Sequence, residues 1–305
     1  KLIKKKGEVI IPSWTWVSTA NAVINAGCVP VFADIELNSR NINPQEIKKK
    51  ISSKTIAVIV VHFGGMPCEM SAIEKICKNR NIVLIEDSAE TIGGKYKNKK
   101  TGSFGIGCFS FFPTKNITTT EGGMLTTNNL KYFNHVKKLI AHGIVKNKKF
   151  PWKREAILPG HNYRMPNHLA ALGISQLKKL EFFNKKRNKI AKSYNEFFEK
   201  FPDIIEVQKV PKIITHSYQM YTLRVKNNLR NSFLNFLNNH KIEASVHFFP
   251  PLHKQKYLSK FNKTKLKNTE ILMKDIITLP MSPHLSQKQV KHVKNISFKW
   301  LKKFI

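Results

Sequence analysis

Two uninterrupted runs rich in β-branched residues, 55–62 (TIAVIVVH) and 82–87 (IVLIED), constrain what this chain can become more than any other feature in it. A strand with one wet face alternates apolar and polar residues, and these runs do not. Strands buried on both faces belong to largely parallel sheets with helices packed on either side. The surrounding pattern supplies those helices. A strand over 8–12 ends at Pro12, a helical pattern over 13–27 has Ser13 as N-cap and Gly27 as stop, and a strand follows over 28–35. Together they make a βαβ unit. Asn43-Pro44 opens a Lys-rich helix before the first buried run, and a helix over 70–79 precedes the second. Asp87 thus falls at the C-terminal end of a strand, where open α/β sheets place their ligand sites.

The next stretch, 101–127, centres on Lys115. An apolar run over 108–112 reads as a strand delivering Pro113-Thr114-Lys115, and a Thr-rich turn leads through Gly122-Gly123 into a second strand over 124–127. A lysine held on a rigid element among hydroxyls and aromatics can act as a nucleophile toward an aldehyde. A helix is expected over 130–141, and a Lys-, Pro- and Trp-containing loop over 142–161, long enough to be functional or to face a partner. An apolar-periodic helix over 169–180 continues over 181–201. Beyond it the pattern predicts a strand over 218–225, a helix over 229–240, a strand over 244–249 and helices over 271–278 and 287–301. We therefore expect a large α/β domain over 1–185 and a small α+β domain over 186–305 joined by the long helix.

A chain of 305 residues with 41% apolar content can fill such cores. Residues 1–7 form a basic lead, and the apolar run after it is cut off by Pro12, too short for a signal peptide; no run reaches membrane length. A cytoplasmic protein without membrane attachment is expected. The four cysteines, Cys28, Cys68, Cys77 and Cys108, form no CxxC pair and read as reduced thiols, with no metal site. The net charge of +34 raises the question of nucleic acid. Its lysines are scattered among Asn and Ile along the whole length without a recognition motif, so a solvated Lys-rich surface is the better reading.

Lys115, Asp87 and Trp16 together suit a pyridine cofactor. A ring acting as an electron sink needs a protonated nitrogen, which a carboxylate such as Asp87 sustains; Trp16 could cover one face, and Ser110 with backbone amides could hold a phosphate. Singly, a strand-end Asp is more often a cap, a Trp more often core and a Ser more often surface. The conjunction carries the weight.

The stretches IIPSWTWVSTANAVINAGCVPVFADIE, VIVVHFGGMPCEMSAIEKICK, IVLIEDSAETIGG, FSFFPTKNITTTEGGMLTTNN, GHNYRMPNHLAALGISQLKKLE, ASVHFFPPLHKQKY and ITLPMSPHLS span nearly the whole chain. In that order they resemble the DegT/DnrJ/EryC1/StrS sugar-nucleotide aminotransferases. The resemblance implies a type I, aspartate-aminotransferase-like α/β fold with a mainly parallel sheet, a small C-terminal α+β domain, and pyridoxal 5′-phosphate as cofactor. It places the cofactor-bonding lysine at Lys115, in SFxxxKN, the ring-nitrogen partner at Asp87, the stacking aromatic at Trp16 and the phosphate-contacting serine at Ser110. Glu90 stands where the family contacts the phenolic oxygen, often with Gln or His. Asn162, in GxNYR, resembles the asparagine that reaches the neighbouring subunit's phosphate, which implies a homodimer with shared sites. Arg164, His247 and His253 fall where the family lines the substrate mouth, with an ordinary buried role an equal alternative for the two histidines; His62 and His142 read as structural.

The activity that the resemblance implies is transfer of an amino group from an amino acid, glutamate, to a nucleotide-linked keto-sugar for surface glycans, closest in feel to enzymes aminating C4 of UDP-linked keto-sugars. Lys115 argues against the sugar-dehydrating branch, which carries histidine there. One departure is that the family's upstream block, a phosphate-binding Ser/Gly-Thr-Ala turn at a helix N-terminus, precedes the strand with which this chain begins. Exposed apolar surface and weakened stability or cofactor affinity are expected of the 305 residues as given. A non-catalytic remnant or partner subunit is the alternative function.

Overall fold

Successive residues of a strand face opposite sides of its sheet, so a strand apolar throughout requires two cores. The computed structural model, which describes residues 6–147, 149–150, 152–262 and 264–304, provides both. The first part of the chain gives β1 (Glu8–Pro12), α1 (Val17–Asn25), β2 (Val29–Ala33), α2 (Pro44–Lys50), β3 (Thr55–Val61), α3 (Met70–Asn79) and β4 (Val83–Asp87). A short hairpin, β5 (Lys95–Tyr96) and β6 (Lys99–Lys100), separates these from β7 (Ile106–Ser110) and β8 (Gly123–Thr126). Six strands share a sheet in the order β2-β1-β3-β4-β7-β8, parallel except where β8 turns back antiparallel on β7. Val58 and Val60 of β3 enter one core with Ile47 of α2 and Ile73 and Ile76 of α3. Ala57 and Ile59 enter the other, with Ala20 and Val23 of α1. Fully burying each Val or Ile contributes roughly 1.5–3 kcal/mol, and the alternation explains why neither face of this run tolerates polarity. On the α1 side an apolar groove of about 520 Å³ stays open along Ile59, Val83, Ile85 and Ile106.

After α4 (Leu130–Leu139) comes an antiparallel hairpin, β9 (Ile144–Lys146) with β10 (Arg154–Ala156), where sequence pattern alone suggested a loop. Lys148 and Pro151 of that stretch, and residues 1–5 of the basic lead, lie outside the described residues. Helices α5 (Asn167–Leu177) and α6 (Leu180–Phe198) come next, split near Lys178 rather than continuous. The apolar stripe of α6, Ile190, Ala191, Tyr194 and Phe198, seeds a further core. This core packs against an antiparallel sheet, β11 (Ile205–Val207), β13 (Tyr221–Val225) and β14 (Ile276–Leu279), and the helices α7 (Arg230–Asn239) and α9 (Gln287–Leu301). A two-residue strand, β12 (Ile214–Thr215), pairs with β5.

Three expectations need correction. Ser13 caps no helix: α1 begins at Val17 behind Trp16, and the Ser13 hydroxyl is engaged by a distant histidine. Residues 244–249 form no strand, because only Ser245 bridges β14 before the chain turns through the cis peptides His247-Phe248 and Phe249-Pro250. The helix expected over 271–278 is instead α8 (Lys267–Asp275), after which β-branched Ile276-Ile277-Thr278 pairs with β13 as β14.

The start of α8 is tied to the end of β2. Asp34, just past β2, is buried and accepts from the backbone N–H groups of Ile35, Asn268 and Thr269 at 2.8–2.9 Å and from the Thr269 hydroxyl at 2.7 Å. Asp34→Ala leaves donors at the start of α8 unpaired and should cost roughly 2–4 kcal/mol, read as a lower urea midpoint.

Candidate active site

The pleat of β4 sends its two terminal carboxylates to opposite faces. Glu86 points inward and is fully buried, where it accepts from the backbone N–H groups of Gly102, Phe104 and Gly105 at 2.7–2.9 Å. His62 stands 3.2 Å from it; because His62 Nδ1 accepts from Cys68 N–H, Nε2 carries the ring proton and donates to Glu86. Burial pushes Glu86 upward, but His62 and the backbone donors outweigh it and hold the carboxyl below its ordinary value. The expected structural role of His62 matches this geometry. Asp87 points the other way, into a cavity of about 880 Å³.

Lys115 lies on the same cavity, in the turn after β7 rather than at the strand's last residue. The turn is pinned on both sides of it. Thr119 N–H and the Thr118 hydroxyl both donate to Phe111 C=O, and Asn116 donates to Asn184 Oδ1 and Ser217 C=O. With Phe111 and Ile117 buried, Lys115 is left facing the cavity. Its amine lies 3.6 Å from Glu90, which also accepts from Gly64 N–H at 2.8 Å. Burial raises the Glu90 carboxyl above its ordinary value, and Lys115 and Gly64 only partly counter it.

Trp16, at the start of α1, lines the cavity with its indole 59% exposed and tilted against Phe248 at 5.6 Å between centroids. A ring face left this open inside a cleft is available for stacking. Ser110 lines the cavity at the end of β7. His247 does so too, with Nδ1 within 3.2 Å of Ser245 Oγ and 3.1 Å of Thr278 Oγ1; burial and then the Lys115 charge lower its pKa.

Other residues named from the sequence lie elsewhere. His253 is buried with Nδ1 2.6 Å from Ser13 Oγ and Nε2 3.5 Å from Glu270, so it braces the segment leading to Trp16 and does not line the cavity. Asn162 and Arg164 are exposed, bonded to each other, and away from this cavity. Sequence reasoning passed over Thr19, Gln219 and Thr278. Thr19, three residues after Trp16 on the same helical turn, had a readable spacing; Gln219 and Thr278 are brought in by distant parts of the chain and had none.

An amine opposite a carboxylate, a hydroxyl at one end and an open indole form a donor set that fits an aromatic aldehyde bearing a phosphate. The volume lies within the roughly 300–1,000 Å³ usual for small-ligand pockets. Comparison with known proteins agrees. The sequence profile of the DegT/DnrJ/EryC1/StrS aminotransferase family matches residues 2–297. "Uncharacterized protein MJ1066" of Methanocaldococcus jannaschii is 39% identical over 96% of this chain and 79% of its own. The GDP-perosamine synthase of Escherichia coli O157:H7 is 34% identical over 95% of this chain and 78% of its own. The structure of Helicobacter pylori PseC, an aminotransferase involved in pseudoaminic acid biosynthesis, superposes with a TM-score of 0.92 and 30% identity over 99% of this chain and 81% of that one. The chain belongs to the DegT/DnrJ/EryC1/StrS family and is a pyridoxal-phosphate-dependent sugar aminotransferase with that family's mixed α/β fold.

The raised Glu90 carboxyl has a measurable sign. A charge held against burial destabilises the fold at a pH above its folded value and ceases to do so once protonated. Glu90→Gln in the cofactor-free protein should therefore be at least as stable as wild type at pH 8, with the difference closing as pH falls through the raised value; urea titrations at several pH values check this.

Proposed function

We propose that this sugar aminotransferase takes nitrogen from an amino acid, glutamate, and delivers it to the keto group of a nucleotide-linked keto-sugar used in surface glycans, in the cytoplasm. The observation that carries the reading is the convergence of Lys115, Asp87, Trp16 and Ser110 on one cavity from separate strand ends, a turn and a helix start. The names of its relatives, a GDP-perosamine synthase and an aminotransferase of pseudoaminic acid biosynthesis, support a sugar as acceptor. Among the described residues no helix is long and apolar enough to cross a membrane.

Bound pyridoxal phosphate supplies an aldehyde and an electron-accepting ring. The protein's residues divide the remaining work. Lys115 would hold the aldehyde carbon, and its amine, facing the same cavity, would take and return the proton at the carbon that gives or receives nitrogen. Asp87 keeps the ring nitrogen protonated. Trp16 would cover one face of the ring, and Ser110 would hold the phosphate. Glu90, buried opposite Lys115, stands where it would face the ring's phenolic oxygen. His247 and Thr278, from the far wall, are placed to contact the sugar. A non-catalytic remnant would have no cause to keep this arrangement in one cleft.

A second copy of the chain completes the reading. Helix α5 buries none of its residues although Leu172, Ile174 and Leu177 lie on it, and Phe133, Trp152 and Tyr163 are exposed on α4 and beside the hairpin. A partner seated there would cover this apolar surface and receive Asn162 and Arg164, which do not line the cavity of their own chain.

Lys115→Ala should abolish the visible absorbance band that pyridoxal phosphate gives with the intact protein, and with it transamination; a wild-type protein that forms no such band would refute the assignment. Sedimentation velocity should show a dimer that Leu172→Glu/Ile174→Glu converts to monomer.

A further inference from the structure

Asp87 is not free to turn. Its Oδ1 accepts from Ala89 N–H at 3.2 Å, and its Oδ2 accepts from the Thr19 hydroxyl at 3.0 Å. Thr19 is 4% exposed and sits in the first turn of α1, its N–H bonded to Trp16 C=O. The Thr15 hydroxyl, 2% exposed, lies 3.1 Å from that of Thr19. A hydroxyl has one proton to donate. Thr19 has committed its proton to Asp87, so Thr15 must donate to Thr19. The result is a directed chain, Thr15 to Thr19 to Asp87, in which each bond polarises the next.

The direction of approach matters. Thr19 borders the apolar groove on the α1 side of the sheet and Asp87 borders both that groove and the cavity, so the hydroxyl meets the carboxylate from the groove side. A carboxylate keeps acceptor capacity beyond these two bonds, and Asp87 also lines the cavity. The same helical turn carries Trp16, so the group that covers a ring and the group that orients its acid are fixed to one another within three residues. A planar ligand meeting both would find its tilt and its edge set by one element.

We propose that Thr19, backed by Thr15, is a positioning residue that aims the Asp87 carboxylate at the protonated nitrogen of the cofactor ring. This rests on pyridoxal phosphate occupying the cavity that Asp87 and Lys115 share. A bond that only shores up α1 would matter equally to every ligand. A bond that aims Asp87 matters only to a ligand with a nitrogen for Asp87 to meet.

The test measures equilibrium binding, by quenching of tryptophan fluorescence, of pyridoxal phosphate and of its analogue with C–H in place of the ring nitrogen. Wild type, Thr19→Val and Thr19→Ser are compared, with circular dichroism to confirm folding. Wild type should bind pyridoxal phosphate more tightly than the analogue. Thr19→Val should weaken pyridoxal phosphate by roughly tenfold, the size of one lost charge-assisted hydrogen bond, and the analogue by less than about twofold. Thr19→Ser should restore the difference. Equal weakening of both ligands, no weakening of either, or a Ser variant behaving like Val would overturn the proposal. A wild type that binds both ligands equally would also overturn it. Binding of neither by wild type would instead overturn the cofactor reading, and this proposal with it.

Discussion

The structure depends on a carboxylate that never touches solvent. Glu86 gathers three backbone N–H groups from the turn at 102–105 and the imidazole of His62, and so fixes the end of β4 to the start of β7 and to the exit from β3. An ion buried this deeply is tolerated because each of its oxygens is met by donors. Since side chains alternate along a strand, fixing Glu86 on one face fixes Asp87 on the other. The acid that faces the cavity owes its place to the acid that does not.

Around it the charges are arranged against the trend of the whole. A chain with a net charge of +34 lines one cleft with the carboxylates Asp87, Glu90, Glu121 and Glu243 as well as Lys115. The surplus lysines stay outside, on exposed helix faces such as that of α6, where water screens them and they decide little about fold or chemistry. What the net charge does not reveal, the local sign of the cleft does. The Lys115 amine meets Glu90 at 3.6 Å, an electrostatic contact longer than a close hydrogen bond.

Much of this was legible in the chain. Unbroken apolar runs announced strands buried on both faces, and residues 55–62 and 82–87 became β3 and β4 with their ends shifted by at most one residue. Asp87, Lys115 and Trp16 could be singled out because each stood at an element's end with a motif around it. The failures share a cause. Ser13 has the composition of an N-cap and lies before a helical pattern, but His253, 240 residues away, claims its hydroxyl. Residues 276–279 continue an apolar helical pattern, yet β13 needs a partner and wins them. His253 looked like a mouth residue by its neighbours in sequence and was drawn under the Trp16 segment by folding. In each case a contact between distant parts of the chain overrode a preference written locally, and no window of sequence contains that contact.

The turn after β3 carries a consequence beyond its own geometry. Gly64 and Gly65 adopt φ of +63° and +102°, and a methyl group on Gly65 would meet Ser217 Oγ at 2.5 Å and Tyr218 N at 2.7 Å. Ser217 N–H donates to Gly65 C=O and Met220 N–H to Gly64 C=O, so the backbones of the two halves are pressed together with no side chain between them. A side chain at Gly65 would have to push the segment 217–220 away from the exit of β3, and with it Gln219 and Met220, which line the cavity.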